Sequence, residues 1–504
     1  MKMVKSLLLG SAAGLVAVAG AQAADLPVKA KPVEYVKVCS LYGAGFWYVP
    51  GTDTCLKIGS YIREQVQWNA EGGGIPIGFG STDPAAGGRF DRTDTSQLSM
   101  RTRVGISVDL RTQTEYGTLR SYLEGGFQTS STVGSAPTND VVYFDRGFIQ
   151  FAGLTAGRIR SYFDINSLAP YGYVFQKING DTGALGLWGI AYTAQFGNGF
   201  SGTISLEDGG SSSQGNNAGQ SSARGHFVAN LSMASQFGLG TTSLDNEGWK
   251  FPDVVGALRI DQAWGYAQIA AALHDASAGY YQTGGTALAA GIQNNGHPSD
   301  AWGWAVTGGF TLNDVLGMKG DQFAMQAVYS VGAAGYATRA TGASQIYAGN
   351  MSAGVSWITD GVFTTGSSIA LTSVWGINGS YQHFWNPKWR TSIHGGYEEV
   401  DYSGSATAMI CPAGGATAAP TGTALTGVTN CSPNNSWWEV GTRTQWNPHP
   451  DLDIGVDVVW NHLNTAFAGT ATLAANGARP GGVYTISNQD VGSVFFRIQR
   501  NFLP

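Results

Sequence analysis

The sequence predicts an all-β fold, an antiparallel transmembrane β-barrel of about 16 strands with short turns on one rim and long loops on the other. Three observations predict it. Apolar and polar residues alternate through segments of about 10 to 16 residues along most of the chain. The connections between those segments are short and long by turns. Only 12% of residues are charged, while 73 Gly, 15 Trp, 21 Tyr and 22 Phe are present. A soluble domain carries about 25% charge; so few charges suit a chain whose outer surface faces lipid.

The last segment shows the alternation best. Val494, Phe496, Ile498 and Phe502 fall on one face, and Ser493, Arg497, Gln499 and Asn501 on the other. One face suits lipid and the other water.

Taken in chain order, residues 1–23 read as a signal peptide. Lys2 and Lys5 precede an apolar run from Leu7, which ends at Ala21-Gln-Ala23. The run is shorter than the ~20 residues a spanning helix needs. Removing those two lysines takes the net charge from −6 to −8. An acidic balance argues against nucleic acid as a partner. Residues 24–54, which include Cys39, read as a periplasmic leader, and residues 55–504 as the barrel.

Strands are expected at 55–70, 98–114, 117–130, 141–153, 154–165, 187–198, 200–209 and 253–265. They continue at 266–276, 301–313, 321–333, 367–386, 389–402, 436–447, 452–467 and 491–502. Tight turns fall at 113–116, 197–199, 386–388 and 447–451. Long loops rich in Gly, Ser, Thr and Asn fall at 71–97, 210–252, 277–300, 334–366, 403–435 and 468–490. An even strand count lets the last strand pair with the first, which removes edges that lipid would not tolerate. Phe196, Phe200, Trp385, Trp389 and Trp446 flank tight turns, as rings at a membrane–water interface do.

Candidate functional residues lie on the polar faces. The first five strands contribute Arg63, Arg101, Arg103, Arg120, Arg158 and Arg160. Arginine stays charged and needs water or acidic partners, so a row of arginines on the inner wall predicts one side of a pore constriction. The segment 166–186, with Tyr171, Tyr173 and Asp181 and with Asp164 just before it, could fold inward and set carboxylates against the arginines. On the residues alone the alternative is an exposed loop. Cys39 with Cys55, and Cys411 with Cys431, are expected to form two local disulfides in an exported chain.

The sequence lacks G-x-S-x-G, H-E-x-x-H, P-loop and C-x-x-C motifs. His394, beside Arg390, Ser392 and Glu398 on one face, reads as a solvated lumen histidine. No enzymatic activity, cofactor or metal is expected.

The chain resembles the alphaproteobacterial porin family, which includes the general porins of Brucella and rhizobia. Ala24-Asp-Leu-Pro-Val-Lys-Ala30, Pro50-Gly-Thr-Asp-Thr-Cys-Leu-Lys-Ile-Gly59, Phe144-Asp-Arg-Gly-Phe-Ile-Gln-Phe-Ala-Gly153 and Tyr192-Thr-Ala-Gln-Phe-Gly-Asn-Gly-Phe200 carry the resemblance. It implies a homotrimer of 16-stranded barrels in the bacterial outer membrane, in contact with lipid and lipopolysaccharide. It implies passive diffusion of small hydrophilic solutes and ions, and a third loop folded into the pore. Its eyelet chemistry carries onto Arg63, Arg101, Arg103, Arg158 and Arg160, opposed by Asp164 and Asp181. One departure is that Leu503-Pro504 follow the terminal aromatic Phe502. Two other readings stand beside the diffusion channel. A substrate-selective channel, for sugars for instance, could use Tyr61, Tyr122, Tyr162, Tyr171 and Tyr173. A surface adhesin or structural barrel would not conduct.

Overall fold

The structure is a computed structural model. It describes residues 38–68, 70–71, 75–76, 98–131, 141–166, 170–173, 186–208, 224, 227–232, 247, 250–281, 292–338, 342–348, 351–411, 423–424, 427–473 and 481–503. The expected signal peptide 1–23, the expected leader up to residue 37, Asp181 and most of the loop 71–97 lie outside these residues.

Sixteen long strands close on themselves. They are β1 Thr54–Trp68, β2 Leu98–Thr114, β3 Gly117–Ser130, β4 Val141–Phe151, β5 Leu154–Ile159, β6 Leu187–Gly197, β7 Phe200–Glu207 and β8 Asp253–Gln262. The second half is β9 Gly265–Asp275, β10 Trp302–Asn313, β11 Gln322–Val331, β12 Ala370–Asn386, β13 Trp389–Tyr402, β14 Asn435–His449, β15 Leu452–Asn464 and β16 Gln489–Leu503. Each pairs antiparallel with its sequence neighbour, and β16 closes on β1 through pairs such as Glu64 with Ile498. Closure leaves no strand edge to lipid. Among the described residues no helix is long and apolar enough to cross a membrane.

The alternation produces two walls. Along β10, Trp302, Trp304 and Val306 face out, while Ala305 and Thr307 are buried inside. Phe196, Phe200, Trp385, Trp389 and Trp446 are exposed beside their turns, and Trp389 stacks on Trp446 at 5.8 Å. The turn between β6 and β7 shows why its residues are Asn and Gly. Asn198 and Gly199 have φ of 50° and 78°, the left-handed pair of a tight hairpin. A Cβ on Gly199 would lie 2.0 Å from the Asp261 carbonyl oxygen.

Both disulfides are present, Cys39–Cys55 at the short-turn rim and Cys411–Cys431 in the long loop after β13. The first pins residues 39–48 against the inner wall. There Trp47 and Tyr48 pair with Leu56 and Cys55, and Phe46 packs under Arg111 at 4.9 Å. The long loops build a second, six-stranded sheet over the opposite rim. It combines Gly342–Ala348, Ser352–Ile358, Thr423–Ala424, Val428–Asn430, Ala468–Leu473 and Gly482–Ile486. Its core, which includes Trp357, Ile410, Phe467 and Tyr484, is continuous with inward residues of the barrel such as Val255 and Ala305.

Strand β5 stops at Ile159 rather than 165. Ser161 takes over the backbone there. Its hydroxyl accepts from Phe163 N at 3.1 Å, its carbonyl accepts from Asp164 N at 3.2 Å, and Glu207 captures Tyr162 N at 2.9 Å. The ladder cannot continue, and Arg160 and Tyr162 belong to the loop rather than to the strand wall.

Candidate functional site

The segment after β5 turns into the barrel and is fastened to the inner wall at two points. The first is Asn166, buried against β9, β10 and β11. Its amide nitrogen donates to the carbonyls of Met325 at 2.9 Å and Phe310 at 3.3 Å. Its amide oxygen accepts from Tyr266 at 3.0 Å and Thr311 at 2.9 Å. The second is 170–173, with 171–173 buried, against β13, β14, β15 and β16. Tyr173 N donates to Asp457 at 2.5 Å, Ser392 donates to the Tyr171 carbonyl, and Arg443 donates to the Pro170 carbonyl. Arg497 lies 4.0 Å from the Tyr173 ring and Arg443 5.3 Å. The described residues after β5 therefore lie against the inner wall, Asn166 at β9–β11 and 170–173 at β13–β16, as an inward-folded loop requires.

The wall that remains faces this loop. β16, β1 and β2 present Arg497, Arg63, Arg101 and Arg103. Arg103 pairs with Asp145 at 2.6 Å and lies 3.8 Å from the Tyr143 ring. Arg63 donates to Gln499 at 2.8 Å and lies 4.9 Å from the Tyr61 ring. Arg101 and Arg497 both donate to the Gln65 side-chain oxygen.

The structure sorts the other expected residues differently. Arg120 is inward but sits toward the short-turn rim. It holds Asp109 through two bonds of 3.0 and 2.9 Å, with Arg111 on the same carboxylate. It shares that single carboxylate with Arg111 and stands apart from the loop. Arg158 is not on the inner wall. Paired residues share a sheet face, and Arg158 stands opposite Trp188, with its guanidinium 5.1 Å from that ring. Trp188 alternates with the outward Ile190 and Tyr192, whereas Thr155 bonds the lumen residue Gln150. Arg160 donates to the Asn166 carbonyl at 2.8 Å and pairs with Asp164 at 3.5 Å, which braces the loop base. Asp164 is buried and also pairs with Arg224 at 2.5 Å, so it does not face the arginine wall. Tyr171 and Tyr173 are buried as anchors. His394 is buried on Asp457 at 3.2 Å.

Sequence reasoning left out Arg497, Arg443, Gln65 and Asn166 as site residues. Arg497 had a signal, its place on the polar face of the last strand. The others gain their roles from partners far along the chain.

A closed barrel of strands, an aromatic girdle at the turns and a charged wall narrowed by an inward loop define a porin. The chain belongs to the porin subfamily Porin_2, which matches residues 25–494. This is a family of bacterial outer-membrane barrels rather than enzymes. Porin Omp2b of Brucella abortus (strain 2308) is 34% identical over 273 residues, 52% of this chain and 63% of that protein. Porin Omp2b of Brucella canis is 35% identical over 273 residues, with the same shares. The chain thus spans a little under two thirds of these relatives' length. The outer membrane channel DcaP of Acinetobacter baumannii shares the fold, with a TM-score of 0.56 at 13% identity, over 90% of this chain and 99% of that one.

Proposed function

We propose that the chain forms a water-filled channel through the outer membrane for passive diffusion of small hydrophilic solutes and ions, after export directed by residues 1–23. The observation that carries this reading is the third loop. Its described residues are fastened to the inner wall at Asn166 and at 170–173, and the polar wall of β16, β1 and β2 carries Arg497, Arg63, Arg101 and Arg103 beside them. A sugar-selective channel would need rings free to slide a ring solute, and Tyr171 and Tyr173 are buried in the loop's anchorage. The test is single-channel recording of the refolded full chain in a planar bilayer. Large ohmic steps are expected. No steps from folded, inserted protein would sink this reading in favour of an adhesin or structural barrel.

We further propose that the chain works as a homotrimer joined through the outer face of β16, β1 and β2. Glu64 supports this. It is exposed on the lipid side between Ile62 and Val66, opposite Ile498 and Thr102, and accepts from the Thr102 hydroxyl at 2.9 Å. A charge within the apolar band is costly against lipid, and a neighbouring subunit with donors removes that cost. Glu64→Leu is expected to weaken each subunit contact by about 1.5–3 kcal/mol, the value of a hydrogen bond to a charged group. Trimer dissociation on heating, followed by gel mobility, reads this out. Dissociation at an unchanged or higher temperature would place Glu64 against lipid instead.

A further inference from the structure

Resting on the channel reading above, we propose that the wall of β16, β1 and β2 is an anion-binding subsite, and that the channel favours solutes bearing carboxylate or phosphate groups over cations. Strand register sets six inward side chains in two rungs. Gln499, Arg63 and Arg103 lie abreast in one, and Arg497, Gln65 and Arg101 in the next. With strands about 4.8 Å apart and same-face residues about 7 Å apart, four guanidiniums occupy a patch roughly 10 by 7 Å.

The glutamines bridge Arg63, Arg101 and Arg497 without themselves adding negative charge. The Gln65 oxygen accepts from Arg497 Nε at 3.0 Å, Arg497 Nη2 at 2.6 Å and Arg101 Nη2 at 3.3 Å. Gln499 accepts from Arg63 Nε at 2.8 Å. Among the described residues Arg63 and Arg497 contact only neutral groups, the second including the Tyr173 carbonyl at 3.3 Å. The nearby carboxylates are engaged. Asp145 holds Arg103 at 2.6 Å. Asp457 is buried under Tyr173 N and His394. Asp453 accepts from Gln445 at 2.5 Å and faces Arg390 at 3.7 Å. Asp164, which could have opposed the wall from the loop, is spent on Arg224 and Arg160.

Even with Asp145 on Arg103, the wall keeps a surplus of positive charge that raises the local anion concentration. An entering oxyanion offsets that surplus and accepts forked N–H bonds, whereas a cation gains nothing there.

The experiment measures the zero-current potential of the reconstituted full chain across a KCl gradient, then chloride current under rising inorganic phosphate. Chloride preference and saturable inhibition by phosphate are expected. Arg63→Gln with Arg497→Gln should lower the chloride-to-potassium permeability ratio by roughly fivefold per arginine, because a unit charge about 8 Å away in water changes the two ions' Boltzmann factors about twofold each, in opposite directions. Arg63→Lys with Arg497→Lys should keep the ratio and lose the phosphate inhibition, because the charge remains and the fork does not. Open channels that prefer potassium, or a ratio unmoved by the glutamine pair, would overturn the anion site and leave the channel reading standing. Absence of any conductance would remove the channel reading and the site with it.

Discussion

Asn166→Ala is expected to release the pore loop from the barrel wall and to raise single-channel conductance. The amide of Asn166 makes four side-chain hydrogen bonds to three strands, two donated to the carbonyls of Phe310 and Met325 and two accepted from Tyr266 and Thr311. A net value near 1 kcal/mol for each bond puts the anchor at about 3–4 kcal/mol. The second anchor, at 170–173, holds the far end, so the loop would hinge rather than leave. Frequent transitions between conductance levels are expected from that hinge. Thr311→Ala removes one of the four bonds and should cost about 1 kcal/mol, with conductance close to that of the parent. Equal conductance for Asn166→Ala and the parent would show that the second anchor alone positions the loop.

The barrel was legible in the sequence because its signal is local. All sixteen strands fall where alternation and turn residues place them, with ends within a few residues except for β5. The inward placement of Arg63, Arg101 and Arg103 was legible for the same reason, since each alternates with apolar neighbours on a long strand. Arg158 misled because β5 is short. Leu154 and Ala156 share its parity and mark that face as outward, but three residues make a weak pattern. Arg160 and Tyr162 were misplaced because the end of β5 depends on Ser161 and on Glu207, the latter from a strand 45 positions away from Tyr162. Asn166 has no local signature at all. Its partner Met325 lies 159 positions along the chain. The loop sheet was hidden for a related reason. Its strands are Gly-, Ser- and Thr-containing pieces of different loops, joined by contacts such as Ser352 with Thr485, and no period within one loop reveals the other.

Arg224→Met is expected to loosen the loop assembly while leaving the barrel intact. Arg224 comes from the loop between β7 and β8 and is fully buried. Its guanidinium ties three loops together. It pairs with Asp164 of the pore loop at 2.5 Å, donates to the Gly335 carbonyl of the loop between β11 and β12 at 2.8 Å, and lies 4.2 Å from the Tyr336 ring. Burial, then the charges of Asp253 and Glu207, push the Tyr336 phenol well above its ordinary value. It therefore stays a donor to Asp253, at 2.6 Å. Removing one partner of a buried ion pair costs about 3–5 kcal/mol, because the other charge remains in a low-dielectric site. Here Arg160, at 3.5 Å, is a more exposed and weaker substitute for Asp164. The loss should fall on the loops, since the ladder bonds of sixteen strands do not depend on this pair. Faster proteolysis from the outer side, with unchanged resistance of the barrel to heat and detergent, is the expected pattern. Arg224→Met combined with Asp164→Leu should recover much of the loss, because an apolar pair of similar volume carries no unpaired charge. A double variant cut faster than Arg224→Met alone would show that Asp164 serves the loop through its hydrogen bonds rather than through its pairing with Arg224.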